Sequence, residues 1–353
     1  MSSLSIADLP ALIATLAPQA QARFRRIFRV DVSEGVLHLT PELRAWAQQR
    51  FGDWGAVERQ RVIRVTNRVT LESAAFNPLR ARRPLPTSDA PQTLQADEDI
   101  FADPLRTTPA DVFGRAQGAH CITASNIARW EGWGSVVIFD EPDIHRLTAA
   151  HLCDCFRVSL EWACRAHAYD PQARFFLWTW NAGLKAGASI SHAHAQVALA
   201  RGTHYAGVER LRRDAQAYRR AHGIDYFADL FAAHADVGLT FRLANVSGLV
   251  YLTPLRPRET WLLANALDDA LANALHTVIR TLSLECFNVV AFMPPLFGSQ
   301  AGWEGFPVIL RIGDRGSTRL RSSDIGAVDL YAQAVIAADP FAARAQLEGA
   351  LRA

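Results

Sequence analysis

The sequence predicts an α+β fold built from two related halves. Strands and helices recur in the same order twice along the chain, and 353 residues exceed what a single hydrophobic core normally holds. Half of the residues are hydrophobic and a fifth are charged, which is ordinary for a globular protein. We therefore expect two packed units that follow a shorter N-terminal extension.

The extension is expected to cover residues 1–60. Its pattern predicts helices around a short strand at Gly35–Leu39, and we assign it no role. Residues 61–205 are then expected to form the first half, and residues 206–353 the second.

The first half is predicted from apolar runs separated by turn residues. A strand at Gly134–Phe139 is followed by a turn at Pro142 and a helix over about Thr148–Ala168. A strand at Arg174–Trp180 comes next, then a glycine-rich loop, then a strand at His192–Ala198.

The second half repeats that order. A strand at Gly248–Thr253 precedes a turn at Pro254 and a helix over about Ala266–Leu284. Strands at Phe287–Phe292 and Pro307–Ile312 complete it. The last strand carries no histidine, so we expect a degenerate copy that is kept for architecture or for lining a pocket.

The most informative segment is Asn181–Gln196, which reads NAGLKAGASISHAHAQ. In an extended strand, side chains two residues apart point to the same face, so His192, His194 and Gln196 are expected to form one polar row. A neutral imidazole is a good nucleophile near pH 7 and can carry a nucleotidyl group covalently. A glutamine amide donates to a phosphate oxygen without titrating. The row therefore suits covalent chemistry at phosphorus.

The loop before the histidines suits the binding of a phosphate. Gly183 and Gly187 permit tight turns and a close approach of the backbone, and the Ser189 hydroxyl adds a donor. Lys185 could supply a positive charge, although a solvated loop lysine explains it equally well. A His-x-His pair alone could also be two hydrogen-bonded core histidines or two ligands of a structural metal. The whole string favours a functional site.

This string resembles the active-site strand of the histidine triad superfamily, in the branch of the galactose-1-phosphate uridylyltransferases and the related nucleoside-diphosphate-sugar and dinucleoside-polyphosphate phosphorylases. The resemblance implies that His194 is the nucleophile, that His192 is structural or a zinc ligand, and that Gln196 binds the phosphate. It also implies two histidine-triad-like halves, each a mainly antiparallel sheet with packed helices. The loop residues expected to bind the substrate are Asn181, Lys185, Gly187 and Ser189.

Gln196 also bears on the type of reaction. Relatives that hydrolyse their substrates usually carry a third histidine where this chain has Gln196. The resemblance therefore implies transfer to a phosphorylated acceptor or to phosphate rather than to water.

Two further stretches resemble the uridylyltransferases. In the run from Asn77 to Pro84, Arg80 and Arg83 match two arginines that contact substrate phosphates in that family. The planar, permanently charged fork of arginine suits phosphate oxygens, although the run alone would be explained as a solvated basic loop. Asn126 matches an asparagine that lies near the ribose of the nucleotide.

A metal site is expected less clearly. His145 falls where the uridylyltransferases place a zinc ligand, but the Cys-x-x-Cys pair that completes their site is missing from the sequence, as is the second His-x-His pair of the iron site known in some of them. Cys153 and Cys155 are expected to be core or helix-face thiols in the predicted helix. We therefore assign no metal and no cofactor, and zinc is left open.

The sequence thus predicts a nucleotidyltransferase that works through a nucleotidyl-histidine. It would move a nucleoside monophosphate between a nucleoside diphosphate sugar and a sugar 1-phosphate. One alternative is a phosphorylase of a nucleotide sugar or a dinucleoside polyphosphate, which the alanine between the histidines favours. The other is a catalytically silent nucleotide-binding protein, because a fold does not guarantee activity. Neither the base nor the sugar is determined.

Charge and cysteine content bear on partners and location. A formal net charge of +2 indicates no nucleic-acid partner. Five scattered cysteines, no signal peptide and no apolar run long enough to span a bilayer predict a cytoplasmic protein without a membrane partner. A nucleotide or nucleotide sugar is the expected ligand, and the resemblance implies a homodimer. Four late arginines with Asp314 and Asp324 are expected to make surface ion pairs, or else to bind a second phosphate; they are Arg311, Arg315, Arg319 and Arg321.

Overall fold

The computed structural model describes residues 4–83, 87–90, 99–320 and 325–352. The strands are β1 (Phe28–Val36), β2 (Arg59–Asn67), β3 (Ser73–Phe76), β4 (Cys121–Ser125), β5 (Trp133–Phe139), β6 (Ala173–Ala182), β7 (His194–Arg201), β8 (Thr240–Leu243), β9 (Val246–Val250), β10 (Thr260–Ala264), β11 (Cys286–Phe292), β12 (Val308–Gly316) and β13 (Ala334–Ile336). The helices are α1 (Leu9–Thr15), α2 (Pro18–Ile27), α3 (Pro41–Phe51), α4 (Trp54–Glu58), α5 (Pro78–Ala81), α6 (Pro104–Thr107), α7 (Ala149–Tyr169), α8 (Ala206–His222), α9 (Tyr226–Asp236), α10 (Asp269–Thr281), α11 (Ala327–Tyr331) and α12 (Pro340–Arg352).

The larger sheet has nine strands in the order β4-β5-β7-β6-β11-β12-β10-β9-β8. Every neighbouring pair in it is antiparallel. The first half contributes the β4-β5 hairpin, helix α7 and strands β6 and β7, and the second half contributes the antiparallel strands β8, β9 and β10, helix α10 and strands β11 and β12. The halves meet where β6 pairs with β11, so their strand orders are mirrored about this junction. The predicted α+β fold of two related halves is confirmed.

The correspondence between the halves differs in one detail from the prediction. The strand that occupies the place of β5 in the second half is β10, which directly precedes the helix and pairs with β12. The predicted strand at Gly248–Thr253 instead overlaps β9, the first arm of the β9-β10 hairpin. The short apolar run Trp261–Leu263 was missed because it leads almost directly into the helical pattern.

The smaller sheet has the order β1-β2-β3-β13. β1 pairs with β2 from Phe28 opposite Asn67 to Val36 opposite Arg59, so the expected boundary at residue 60 falls inside β2. The short strand predicted at Gly35–Leu39 is wrong in position, because the alternating run that pairs with β2 starts at Phe28. β13 adds to β3 in parallel and ties the end of the chain to this sheet. The division at residues 60 and 205 stays a prediction.

The two faces of the nine-stranded sheet differ in burial. On one face α7 and α10 cover the core, and β6 contributes Trp178 and Trp180 to it. The opposite face of the central strands is only half-buried, and β6 presents Thr179 and Asn181 there. Strand alternation thus produces a polar surface beside the junction of the two halves. No helix in the described ranges is long and apolar enough to cross a bilayer.

The structure determines the burial of the cysteine pair and of one late arginine that the sequence singled out. Cys153 and Cys155 are buried in α7, as predicted for core thiols. Arg311 does not make the expected surface ion pair: its side chain is 11% exposed and lies 2.9 Å from Glu72 and 2.7 Å from Glu259. Because burying a guanidinium requires paired charges, these two carboxylates account for its position. Arg321 and Asp324 lie outside the described residues.

Candidate functional site

His194 and Gln196 lie on the half-buried face of the sheet. His194 opens β7 opposite Ile138 of β5, and Gln196 follows opposite Val136 of β5 and Thr179 of β6. Cross-strand partners point to the same face, so the imidazole, the carboxamide and the Thr179 hydroxyl share one surface. The alternation predicted for this strand is present.

The hydrogen bond of His194 determines which ring nitrogen can react. Nδ1 lies 2.8 Å from the carbonyl oxygen of His192. A carbonyl can only accept, so Nδ1 carries the proton and the neutral ring keeps its lone pair on Nε2. Among the described residues, nothing is hydrogen-bonded to that Nε2 atom. The ring is therefore held in the tautomer in which Nε2 is the basic nitrogen.

The surroundings of His194 keep the ring neutral. Burial lowers the pKa of His194 below its ordinary value of 6.5, the hydrogen bond to the His192 carbonyl opposes this change, and the charge of the His192 ring lowers the pKa further. The net direction is downward. The nucleophilic form is thus present at neutral pH and persists into mildly acidic solution.

This lowered pKa predicts the pH dependence of adduct formation. The single-turnover rate of nucleotidyl transfer to His194 should stay flat as the pH falls through 6.5 and should decline only at lower pH. The measurement is labelling by an α-labelled nucleotide between about pH 4.5 and 8, with circular dichroism to confirm the fold at each pH. An acidic midpoint at or above 6.5 would contradict the assigned environment.

His192 lies just before β7 rather than in the strand where it was predicted. Its Nδ1 is 2.8 Å from Asp99 Oδ2, and its Nε2 is 2.8 Å from the carbonyl oxygen of Phe139. Burial alone would raise the pKa of Asp99, but hydrogen bonds from the His192 ring and from the Phe101 amide lower it. Both ring nitrogens are engaged by protein oxygens, as expected of a structural histidine.

The residues implied for zinc do not fit that metal. Neither nitrogen of His192 is available as a ligand, because Asp99 and the Phe139 carbonyl occupy both. His145 is exposed, and within the described ranges it joins no cluster of three or more residues able to hold a metal. We therefore derive no role for zinc at this position.

Phe101 covers the histidine pair. Its ring centroid is 6.0 Å from that of His192 and 5.1 Å from that of His194, both in edge-on geometry. It packs with Ile122 and Ile138 in a small apolar cluster on the same face of the sheet. His194, which contacts this ring, is only 6% exposed.

The glycine-rich loop has the backbone conformations that its sequence predicts. Gly183 and Gly187 have φ values of 84° and 88°, in the left-handed region that favours glycine. A Cβ on Gly183 would also lie 2.7 Å from the sulfur of Cys286. Ser189 is exposed and Lys185 is half-buried. The loop thus approaches the second half of the sheet closely and leaves its later residues open to solvent.

Asn181 is positioned by a residue of the second half. Its side-chain oxygen accepts a 2.8 Å hydrogen bond from Asn288 of β11, which also donates to the carbonyl of Ala186 in the loop. The Asn288 oxygen in turn accepts from Arg315 at 2.6 Å. The sequence pointed to Asn181 but not to Asn288, because no motif links the two strands.

Three predicted substrate contacts are not brought together with His194 by any contact of the described residues. Arg80 and Arg83 are exposed and follow β3 of the smaller sheet. Asn126 directly follows β4, and its backbone amide donates to the carbonyl of Gly134, a residue that pairs with Ala198. This places Asn126 about 13 Å along the strand direction from His194. The Asn126 side chain accepts from the amide of Ala128, 3.1 Å away.

The same sheet face leads to a cavity in the second half. This cavity of about 320 Å³ is lined by Phe292 and Arg311 of the sheet and by Glu72, Arg210 and Asp214, among others. Gln196 and Arg311 are separated by three strand spacings, or about 14 Å. The polar face thus runs from the His194 imidazole to this cavity.

Asp99, Phe101 and Asn288 are the site residues that the sequence analysis missed. The first two lie more than ninety positions before His192 in a stretch without periodicity. Only the alternation of Thr179 and Asn181 with buried tryptophans gave a signal for the polar face. Asp99, Phe101 and Asn288 join the site through contacts between distant segments, which spacing along the chain does not reveal.

Solved structures share this fold at low sequence identity. An ADP-glucose phosphorylase from Arabidopsis thaliana, solved with bound ADP-glucose, is 15% identical with a TM-score of 0.61, over 79% of this chain and 95% of that one. A GalT-like protein from Arabidopsis thaliana is 14% identical with a TM-score of 0.60, over 80% and 96% of the two chains. A uridylyltransferase is 15% identical with a TM-score of 0.57, over 81% and 98%. No protein-family model and no curated protein matches this sequence.

Proposed function

We propose that this chain, which has the fold of the galactose-1-phosphate uridylyltransferase-like branch of the histidine triad superfamily, is a nucleotidyltransferase that acts through a nucleotidyl-His194 intermediate. One observation carries the proposal. His194 donates from Nδ1 to a backbone carbonyl, which leaves the Nε2 lone pair unpartnered among the described residues and on the same face as Gln196.

The reaction would proceed in two displacements. In the first, Nε2 of His194 attacks the α-phosphorus of a nucleoside diphosphate sugar, and the bond to the bridging oxygen breaks. The sugar 1-phosphate leaves with that electron pair. In the second, a phosphate oxygen of another sugar 1-phosphate attacks the phosphorus of the adduct, and the electron pair of the P–N bond returns to Nε2.

The surrounding groups would stabilise charge rather than move protons. The carbonyl of His192 holds the Nδ1 proton and so offsets the positive charge of the imidazole in the adduct. Gln196 donates its amide to a non-bridging oxygen and cannot protonate a leaving group. The sugar 1-phosphate leaves as an anion in the first displacement, and the imidazole of His194 leaves as a neutral ring in the second, so neither displacement requires a general acid.

We propose substrate contacts both in the glycine-rich loop before β7 and at three residues farther from His194. Backbone amides near Gly187, the Ser189 hydroxyl and Lys185 are proposed to hold the phosphates, beside the fixed carboxamide of Asn181. Arg80, Arg83 and Asn126 stay proposals for binding the distal phosphate and the ribose.

A second candidate function is phosphorolysis, in which inorganic phosphate is the acceptor. Ala193 stands between the two histidines, and the loop reads Ala-Gly-Ala-Ser before them. One similar structure is an ADP-glucose phosphorylase. The first displacement would be unchanged, and only the size and charge of the group that attacks the adduct would differ.

Trapping the intermediate tests both candidates. The protein is incubated with UDP-glucose, ADP-glucose, a GDP-sugar or a dinucleoside tetraphosphate, each labelled in its α-phosphate. Acid-labile, alkali-stable label on the protein is the expected result for a phosphoramidate on histidine.

The trapped adduct is then treated separately with a sugar 1-phosphate, inorganic phosphate or buffer alone. Release of labelled nucleotide sugar supports the transferase, and release of labelled nucleoside diphosphate supports the phosphorylase. Tight nucleotide binding without any adduct would overturn the covalent mechanism in favour of a catalytically silent binding protein.

A further inference from the structure

Three side chains from different elements converge at one corner of the first half. His120 precedes β4, Asp140 follows β5, and His151 lies in the first turn of α7. Their potential ligand atoms all lie within 4.8 Å of one another, and the described ranges contain no other such group of three or more. None of the three takes part in the proposed nucleotidyl transfer.

The carboxylate of Asp140 lies between the two imidazoles. His120 Nδ1 is 3.1 Å from one of its oxygens, and His151 Nε2 is 3.2 Å from the other. The two rings are stacked with centroids 4.4 Å apart, so both present a nitrogen to the same carboxylate. Two neighbouring ligands of a tetrahedral zinc ion with bonds of about 2.0 Å are about 3.3 Å apart. The spacing therefore suits ligands of one small ion.

Neighbouring groups orient the ring of His151 for such a role. Its Nδ1 accepts a 3.2 Å hydrogen bond from the backbone N–H of Thr148 and lies 2.7 Å from the hydroxyl of the same residue. These two contacts fix the plane of the ring and direct Nε2 toward Asp140. The backbone amide of His120 donates to the buried carboxylate of Asp154 at 2.7 Å, which holds the turn before β4.

Partial exposure leaves room for further ligands. The side chain of Asp140 is 53% exposed, that of His120 35% and that of His151 14%. Water can therefore complete the coordination of an ion at this corner. Two imidazoles and one carboxylate form a donor set that suits zinc and its first-row neighbours better than calcium or magnesium.

We propose that His120, Asp140 and His151 bind one divalent transition-metal ion of the zinc type. This set shares no residue with the zinc ligands implied by the family resemblance, His145 and His192. The backbone links the two regions, because Asp140 directly follows Phe139, whose carbonyl accepts from His192. An ion at Asp140 would restrain the end of β5 beside the histidine motif. The proposal is independent of the proposed nucleotidyl transfer.

Calorimetric titration of the full chain with Zn²⁺, after removal of metal with a chelator, tests this site. One ion per chain is expected. His120→Ala and Asp140→Asn should each weaken binding by more than the roughly 10- to 100-fold that follows loss of an outer-shell partner. His145→Ala is the matched control and should bind Zn²⁺ like the parent, because that exposed histidine lies outside the cluster.

Spectra of the Co²⁺-loaded protein identify the donor atoms. Nitrogen and oxygen ligands should give ligand-field bands without the near-ultraviolet charge-transfer band of a thiolate, which would reveal binding at the exposed Cys164. Far-ultraviolet circular dichroism checks the fold of each variant, and His151→Gln replaces any variant that does not fold. The proposal would be overturned by absence of Zn²⁺ binding, by a thiolate band, or by binding that survives in the cluster variants.

Discussion

Replacement of His194 by alanine is expected to abolish covalent labelling and to lower turnover by roughly 10⁴-fold or more, because the two-step route loses its nucleophile. Alanine fits the strand and leaves the core-facing Ala195 and Val197 in place. Nucleotide binding should survive, since the loop amides, Ser189 and Gln196 are unchanged. Single-turnover labelling and calorimetric binding of the nucleotide measure the two effects separately.

The matched control is His38→Ala. His38 is an exposed histidine that follows β1, remote from β7 in sequence and attached to the smaller sheet. It should leave labelling and turnover at the level of the parent protein. Full activity of the His194→Ala protein would contradict the proposed mechanism. Loss of both labelling and nucleotide binding would indicate that the substitution disrupts the whole site.

Replacement of Gln196 by alanine has the second largest expected effect. In the proposed mechanism, its amide stabilises negative charge on the non-bridging oxygens as the phosphorus is attacked. Removal of one such donor typically costs about 10²- to 10³-fold in rate. The loss should appear in the rate of adduct formation more than in nucleotide affinity. Gln49→Ala, at an exposed position of α3, is the matched control and should have no effect.

Two other substitutions at Gln196 separate charge from shape. Gln196→Glu keeps the size but places a carboxylate beside the phosphate, so it should be at least as slow as Gln196→Ala. Gln196→His introduces a group that can transfer protons and should raise the fraction of adduct lost to water. Equal rates for the glutamine, alanine and glutamate proteins would contradict the assigned role of the amide.

The position of Phe101 bears on how these reactions could occur. Its ring lies edge-on to both histidines, and His194 is only 6% exposed. That burial also lowers the pKa of His194 and thereby preserves the neutral nucleophile. If His194 is the nucleophile, the burial that keeps the ring neutral also restricts access to it, so we expect substrate binding to require a local change at Phe101.

The short-range sequence pattern was sufficient to predict that His194 and Gln196 share one face and to predict much of the fold. The two-residue spacing placed His194 and Gln196 on one face, and the glycine positions of the loop matched the turns that require them. The helix predicted over about Thr148–Ala168 is α7, shifted by one residue at each end. These features depend on backbone geometry within a few residues, which the sequence expresses directly.

Contacts between distant segments could not be predicted in this way. Asp99 reaches His192, Asn288 holds Asn181, and Glu72 pairs with Arg311, each across a large stretch of chain. None of these pairs belongs to a shared periodic pattern. Their positions follow from the register of β6 against β11 and from the docking of segments outside the sheet.

The amino-acid sequence by itself determined the two-half α+β architecture, the strand that carries His194 and the glycine turns before it, because these arise from short-range periodicity and backbone sterics. Only the tertiary structure decided that His192 is held by Asp99 and Phe139, that Arg311 is buried, and that His120, Asp140 and His151 meet at one corner. Contacts between distant residues depend on which strands pair and on how helices dock against the sheet. Both are determined by long-range packing rather than by spacing along the chain.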